Sequence, residues 1–396
     1  MEIIVKKIKE LSSLYKDEII ALRRHFHANP ELSGKEIKTA EFIEKNLQLW
    51  GISYVSGVAG TGILAQISGK KANKSVALRA DMDALPITEA NDVKYKSLNH
   101  GVMHACGHDV HMACLLGAAK ILNTLKDDFE GNVRLLFQPS EETFPGGAKG
   151  MIAEGALENP IPDVILGQHT LPTLEAGKVG MKSGKYMAST DEVFLTVKGK
   201  GGHAATPDLV VDTVAIAAQI VVSLQQLVSR KANPAIPTLL SFGRFIADGR
   251  TNIIPDEVTI GGTFRTFDET WRAAAHEHIE KIAKSVANGY GGDCEVFINK
   301  GYPFLVNDED LTSRSFNNAV KYLGAENVVE LDMRMTAEDF AYYTQKIPGC
   351  FYRLGVRNES KGITSNLHTS TFDIDEKSLE TGMGVMAWLA VCELFL

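Results

Sequence analysis

The chain has 396 residues, 44% apolar and 23% charged, which is the make-up of a folded protein of two or three domains and not of a disordered one. Its 41 basic and 49 acidic residues give a formal charge of −8, a surface that repels phosphate backbones and argues against nucleic-acid partners. Five scattered cysteines without a CxxC pair fit a reducing compartment, and the lack of a signal-like start or of ~18 uninterrupted apolar residues argues against export or membrane insertion, so a cytoplasmic protein is expected.

Along the chain, Ile3, Ile4, Ile8, Leu11, Ile19, Leu22 and Phe26 recur at helical spacing. Pro30 and Gly34 separate them from a second amphipathic helix over 36–50. Short β-rich runs at 52–55, 62–67 and 76–79 lead to a Gly/His-rich loop and a helix near 112–125. A buried strand at 133–137, a helix at 148–157 and a strand at 164–167 follow. This alternation predicts an α/β catalytic domain with a mostly parallel sheet.

The middle differs. Strand 192–198, helix 211–228, strands 238–245 and 257–267, helix 270–287 and strand 294–299 follow the β-α-β-β-α-β order of a ferredoxin-like α+β unit. Beyond 300, predicted segments at 308–322, 328–331, 337–346 and 351–354 precede a closing helix from 375. The reading is a domain of residues 1–187 and 300–396 with a smaller one, 188–299, inserted into it.

Four of the 11 histidines fall in HGVMHACGHDVH: His100, His104, His108 and His111. Gly101 and Gly107 interrupt helical stacking, so a loop entering a helix N-terminus is expected. There Cys106 and His108, two apart on extended backbone, project to one side and suit a borderline metal such as zinc. The bland alternative is a buried cysteine beside surface histidines.

The strand LLFQPSEE delivers Glu141 and Glu142 at its C-terminal end, where open α/β sheets bind ligands. On extended backbone they face opposite ways, so one can hold metal while the other takes a proton from water. Two solvated glutamates in a turn is the structural alternative. His169 ends the strand VILGQHT, and His368 lies in the polar loop SNLHTSTFD. Jointly Cys106, His108, Glu142, His169 and His368 are enough for a dinuclear site with shared ligands. Asp81 and Asp83 in LRADMDALP could orient a ligating histidine. In the inserted segment, His203, Asn252 and Arg265 stand out as candidate oxyanion donors or carboxylate binders.

The motifs LRRHFHANPELSGKE, ALRADMDALPI, MHACGHDVHMACLLGAA, LLFQPSEE, GGHAATP, TNIIPD and GTFRTF, with the late His368, span nearly the whole chain. Together they make it resemble the metal-dependent aminoacylase/carboxypeptidase superfamily, in the amidohydrolase branch of hippurate hydrolases, N-acetyl-diaminopimelate deacetylases and auxin–amino-acid conjugate hydrolases. The resemblance implies two divalent ions per subunit (zinc, manganese, cobalt or nickel) held by Cys106, His108, Glu142, His169 and His368. It implies Glu141 as general base, and an inserted lid that pairs in a homodimer and carries His203 into the partner's site. Where the wider superfamily has an HxD ligand motif, this chain has Asp81-Met82-Asp83.

The expected activity is hydrolysis of an N-acyl-amino acid to a carboxylic acid and a free amino acid. Glu141 and His203 would be catalytic, Asn252 and Arg265 substrate-binding, and Asp83 an outer-shell support. A carboxypeptidase or dipeptidase acting on short peptides is the nearest alternative. A silent metal-dependent binding protein is a third, which the base Glu141 argues against.

Overall fold

Strands Ser75–Asp81 and Asn132–Gln138 are buried at every position, as strands covered on both faces must be. They lie at the centre of an eight-stranded sheet in the computed structural model, which describes residues 1–71 and 74–396. The sheet order is Ser53–Val58, Gly62–Ser68, Asn132–Gln138, Ser75–Asp81, Val164–Glu175, Gly349–Arg357, Val179–Met181, Val328–Glu330. The central four strands run parallel, and antiparallel pairings flank them on both sides. The result is a mixed α/β fold with a large, mostly parallel sheet.

Helices Glu2–Ala28, His108–Thr124 and Lys377–Leu394 pack on one another, and the last two reach strand Ser75–Asp81. Both of those are buried almost all round. Their close approach uses glycine: a Cβ at Gly382 would lie 2.5 Å from Cys114 Sγ. These elements belong to a unit made of Met1–Tyr186, Val306–Met333 and Asp339–Leu396.

A second unit comprises Met187–Leu305 and Arg334–Glu338. Its four-stranded antiparallel sheet has the order Thr238–Ile246, Glu257–Thr266, Asp191–Lys198, Asp293–Lys300. Alternate residues Val193, Leu195 and Val197 point into a core shared with Ile216, Ile220 and Leu224 of helix Thr213–Gln226 and Ala275, Ile279 and Ala283 of helix Glu269–Gly289. Asp212 and Asp268 cap those helices by accepting backbone N–H bonds.

Three local expectations change. The strand expected at 164–167 runs Val164–Glu175, so His169 lies within it. The helix expected from 112 begins at His108. Of the helix expected over 337–346 only Ala341–Thr344 forms, because Asp339 turns inward to accept from Arg79, Gln138 and the Ala148 backbone N–H. Among the described residues no helix is long and apolar enough to cross a membrane.

Candidate metal centre

Gly107 adopts φ +88° and turns the Cys106 loop into the helix that starts at His108. Glycine is needed there for space as well, since a Cβ would sit 2.6 Å from Thr170 Oγ1. Glu141 and Glu142 follow strand Asn132–Gln138 in a tight turn, with Ser140 at φ +55°. That corrects the expectation of extended backbone with opposed side chains: both carboxylates reach the ligand atom of His108 within 4.8 Å. His368, at φ +61°, donates its backbone N–H to Ala105 O at 2.8 Å, which holds its loop against the Cys106 loop.

The donor atoms fall into overlapping groups, each within 4.8 Å: Cys106, His108 and His169; Cys106, Glu142 and His368; His108, Glu141 and Glu142. Cys106 Sγ is 3.5 Å from His169 Nε2, and Glu142 Oε1 is 3.3 Å from His368 Nε2. The first group is wholly buried, whereas the His368 side chain is 53% exposed. The structure therefore gathers Cys106, His108, Glu141, Glu142, His169 and His368.

The donor chemistry fits divalent ions. Among the described residues, His108 Nε2 and Glu142 Oε1 are buried atoms that find no hydrogen-bond partner. Such atoms are costly unless a cation satisfies them. His108 Nδ1 donates to the backbone carbonyl of Asp83 at 2.8 Å, and His169 Nδ1 donates to that of Thr170 at 2.8 Å. A carbonyl can only accept, so both rings carry Nδ1–H and present Nε2 as the ligand atom. Burial and the adjacent Glu142 and Glu141 carboxylates push the Cys106 thiol well above its ordinary range. A thiolate in that setting is favoured by a cation against it.

Asp83 supports the site. Its Oδ1 lies 3.2 Å from His108 Nδ1, and its Oδ2 accepts from the Glu142 backbone N–H at 2.9 Å and from Ser33 Oγ at 2.6 Å. Burial opposes its charge, but the bonds from His108, Ser33 and Glu142 hold its carboxyl below the ordinary range.

His111 shares a donor group with Asp81 and His108, yet both of its nitrogens are engaged: Nδ1 with Asp81 at 2.5 Å and Nε2 with Thr170 N–H at 2.9 Å. His104 is buried, which lowers its pKa to about 3, and His100 is exposed. Sequence reasoning passed over Glu36, whose carboxylate accepts from the Ser140 backbone N–H at 2.9 Å and Thr61 Oγ1 at 2.8 Å, pinning the turn before Glu141. Its only signal was an acid at the end of PELSGKE, where a surface glutamate is the commoner meaning.

The remaining sequence candidates lie in the second unit. His203 pairs with Ile253 beside Asn252, and both His203 and Asn252 are exposed. His203 Nδ1 accepts the Ala205 N–H at 3.1 Å, which leaves Nε2 as the donor nitrogen of the neutral ring. Arg265, half-buried, lies in strand Glu257–Thr266 opposite Leu239.

A mostly parallel sheet that gathers Cys, His and Glu donors from one of its strands and from the loops, turn and helix start beside it is a metallohydrolase type of scaffold. The chain belongs to peptidase family M20/M25/M40, whose model matches residues 77–391. It is 44% identical over 316 residues to an N-acyl-L-amino acid amidohydrolase of Geobacillus stearothermophilus, covering 80% of this chain and 85% of that one. It is 39% identical over 392 residues to thermostable carboxypeptidase 2 of Saccharolobus solfataricus, covering 98% of both. A dinuclear metal-binding peptidase of the M20 family from Bacillus subtilis aligns with a TM-score of 0.83 at 33% identity, over 97% of this chain and 99% of that one.

Proposed function

We propose that this protein is a metal-dependent amidohydrolase that cleaves N-acyl-amino acids to a carboxylic acid and a free amino acid. The Geobacillus relative's activity supports the substrate class. The observation that carries the reading is the overlap of donor groups at Cys106, with His108 and His169 on one side and Glu142 and His368 on the other. These five residues would hold two divalent ions. Divalent ions there would supply Lewis acidity toward the scissile carbonyl and toward water.

The chain's own groups supply the proton traffic. Glu141, buried and anchored by its turn, accepts a proton from the attacking water. It then returns that proton to the leaving nitrogen as the C–N bond breaks. His203 Nε2–H donates to the oxyanion of the tetrahedral intermediate. Arg265 and Asn252 hold the substrate carboxylate, Arg265 by a forked pair of N–H bonds. The strand order and two helices of the second unit support a ferredoxin-like lid, and we assign it the dimer contact as well. The cytoplasm is the assigned compartment.

The Saccharolobus relative favours a second reading, a metallocarboxypeptidase using the same residues. Metal-loaded protein assayed on N-acetyl- and N-benzoyl-amino acids and on dipeptides separates the two. Preference for the acylated substrates is expected. Turnover of dipeptides alone selects the carboxypeptidase, and no turnover with ions bound selects a binding protein.

A further inference from the structure

Thr170 connects three segments of the larger unit: its own strand, the Cys106 loop and the helix that carries His111. Its carbonyl accepts from His169 Nδ1 at 2.8 Å, its Oγ1 donates to the Cys106 carbonyl at 3.0 Å, and its backbone N–H donates to His111 Nε2 at 2.9 Å. The last bond has a topological origin. Strand Val164–Glu175 pairs with Ser75–Asp81 only as far as Gly167, while on its other edge pairing with Gly349–Arg357 continues past Leu171. Beyond Gly167 the first edge has backbone donors that no strand among the described residues takes, and the His111 ring takes one of them.

The direction of that bond fixes the ring. A backbone N–H can only donate, so His111 Nε2 is unprotonated and Nδ1 carries the hydrogen. Nδ1 faces Asp81 Oδ1 at 2.5 Å, and Asp81 Oδ2 accepts from Arg79 Nη1 at 2.6 Å. Arg79 is itself clamped by Asp339 at 2.8 Å and Gln138 at 2.9 Å. With both nitrogens committed to protein groups, His111 has no lone pair to offer an ion. Its ring centroid lies 4.5 Å from that of His169.

We infer that His111, held as the Nδ1–H tautomer by Asp81, is a positioning residue that fixes the Thr170 backbone, by its N–H, and through the carbonyl on the other side of the same Cα the orientation of His169 Nε2 toward Cys106. The inference rests on the proposed role of His169 as a metal ligand. It assigns Asp81 a function that the sequence left open: tautomer selection for His111.

The test is metal affinity, measured by competition with a chromophoric chelator, together with the visible spectrum of the cobalt(II)-loaded protein. His111→Leu removes the acceptor for Thr170 N–H. Gln can place an oxygen near the former Nε2, so His111→Gln is the rescue variant. Asp81→Asn keeps the shape and an acceptor for Arg79 but turns an amide donor toward Nδ1, which forces the tautomer that opposes Thr170 N–H. His111→Leu and Asp81→Asn are expected to bind one of the ions about 10–100-fold more weakly, with a changed cobalt spectrum, and His111→Gln to recover most of that loss. Should His111→Leu fail to fold, Asp81→Asn carries the same expectation. Wild-type affinity and spectrum in the folded His111→Leu or Asp81→Asn protein overturn the positioning role alone. Failure of the wild-type chain to bind any divalent ion overturns the metal-centre reading and this inference with it.

Discussion

The backbone carbonyl of Asp83 lies 2.8 Å from Nδ1 of His108, while the carboxylate of the same residue accepts the backbone N–H of Glu142 at 2.9 Å. One residue thus sets the tautomer of a candidate histidine ligand and places a candidate carboxylate ligand beside it. Asp83→Ala should leave the carbonyl bond but release the Glu142 turn. A 10–100-fold loss of metal affinity, roughly, is expected, with activity falling in step. Unchanged affinity by calorimetric titration would show that the turn holds itself.

Glu141→Gln should fold and retain its ions while turnover falls by about 10²–10⁴. The amide has nearly the same shape but cannot accept the proton. Elemental analysis distinguishes this from an exchange of roles, since metal loss in Glu141→Gln would make Glu141 the ligand and Glu142 the base.

Cys106 is assigned as a ligand and not a covalent nucleophile. Chelation should therefore abolish activity and divalent ions restore it. Cys106→Ala should lose both groups of donors at once, because the thiol belongs to each. Full activity after verified removal of the ions would leave covalent catalysis by the thiol as the remaining account.

Much of this site was legible because the local signals agreed. Gly107 before a helical run, a strand ending at Gln138-Pro139, and Cys, His and Glu at those ends all pointed to one edge of one sheet. The turn at Ser140–Glu142 was not legible, since nothing local in PSEE requires a positive φ at serine. It is imposed by Glu36 and Asp83, carboxylates from distant segments that claim the N–H groups of Ser140 and Glu142. His111 was equally opaque: its role depends on where strand pairing stops at Gly167, which is a property of the sheet and not of the motif. The four-residue helix Ala341–Thr344 fell short of its pattern for the same kind of reason, a long-range claim on Asp339.

A buried charge cluster that includes Asp109, the neighbour of His108, contributes to the pH dependence of stability. His27 Nδ1 lies 2.8 Å from Asp109 Oδ2 and Nε2 3.2 Å from Glu89 Oε1, with Arg23 Nε donating to Asp109 at 2.7 Å. Burial and Arg23 push the His27 pKa down, but Asp109 and Glu89 outweigh them and leave it raised. Burial likewise opposes the charge on Asp109 and Glu89, yet Arg23 and His27 hold Asp109, and His27 and Ser97 hold Glu89, below the ordinary range. A raised histidine contributes fully below its unfolded pKa of about 6.5 and loses that contribution as pH rises through the folded value. Depressed carboxylates contribute above about 4 and lose it as pH falls. Stability from this cluster should thus peak between about pH 4 and 6.5. In melting curves taken from pH 4 to 9, His27→Gln should make the decline above 6.5 shallower, and an unchanged alkaline slope would remove His27 from the account.

The proposed base and the five proposed metal ligands all lie in the larger unit, so a catalytic duty for the second unit must come from a group that reaches a substrate. His203 suits that duty: it is exposed, and its Nδ1 is occupied by Ala205 N–H at 3.1 Å, so the neutral ring offers Nε2–H outward. Loss of an oxyanion donor lowers kcat and kcat/KM together without touching the metal site. His203→Ala should therefore fall about 10²–10³-fold in kcat with full metal content. If lids pair and each His203 serves the neighbouring subunit, mixing His203→Ala with Glu141→Gln under subunit exchange builds hybrids. In each hybrid one site combines an intact Glu141 with an intact His203, and activity should return in part. Exchange without recovery would place His203 in the site of its own chain, and unchanged kcat in His203→Ala would remove it from the reaction.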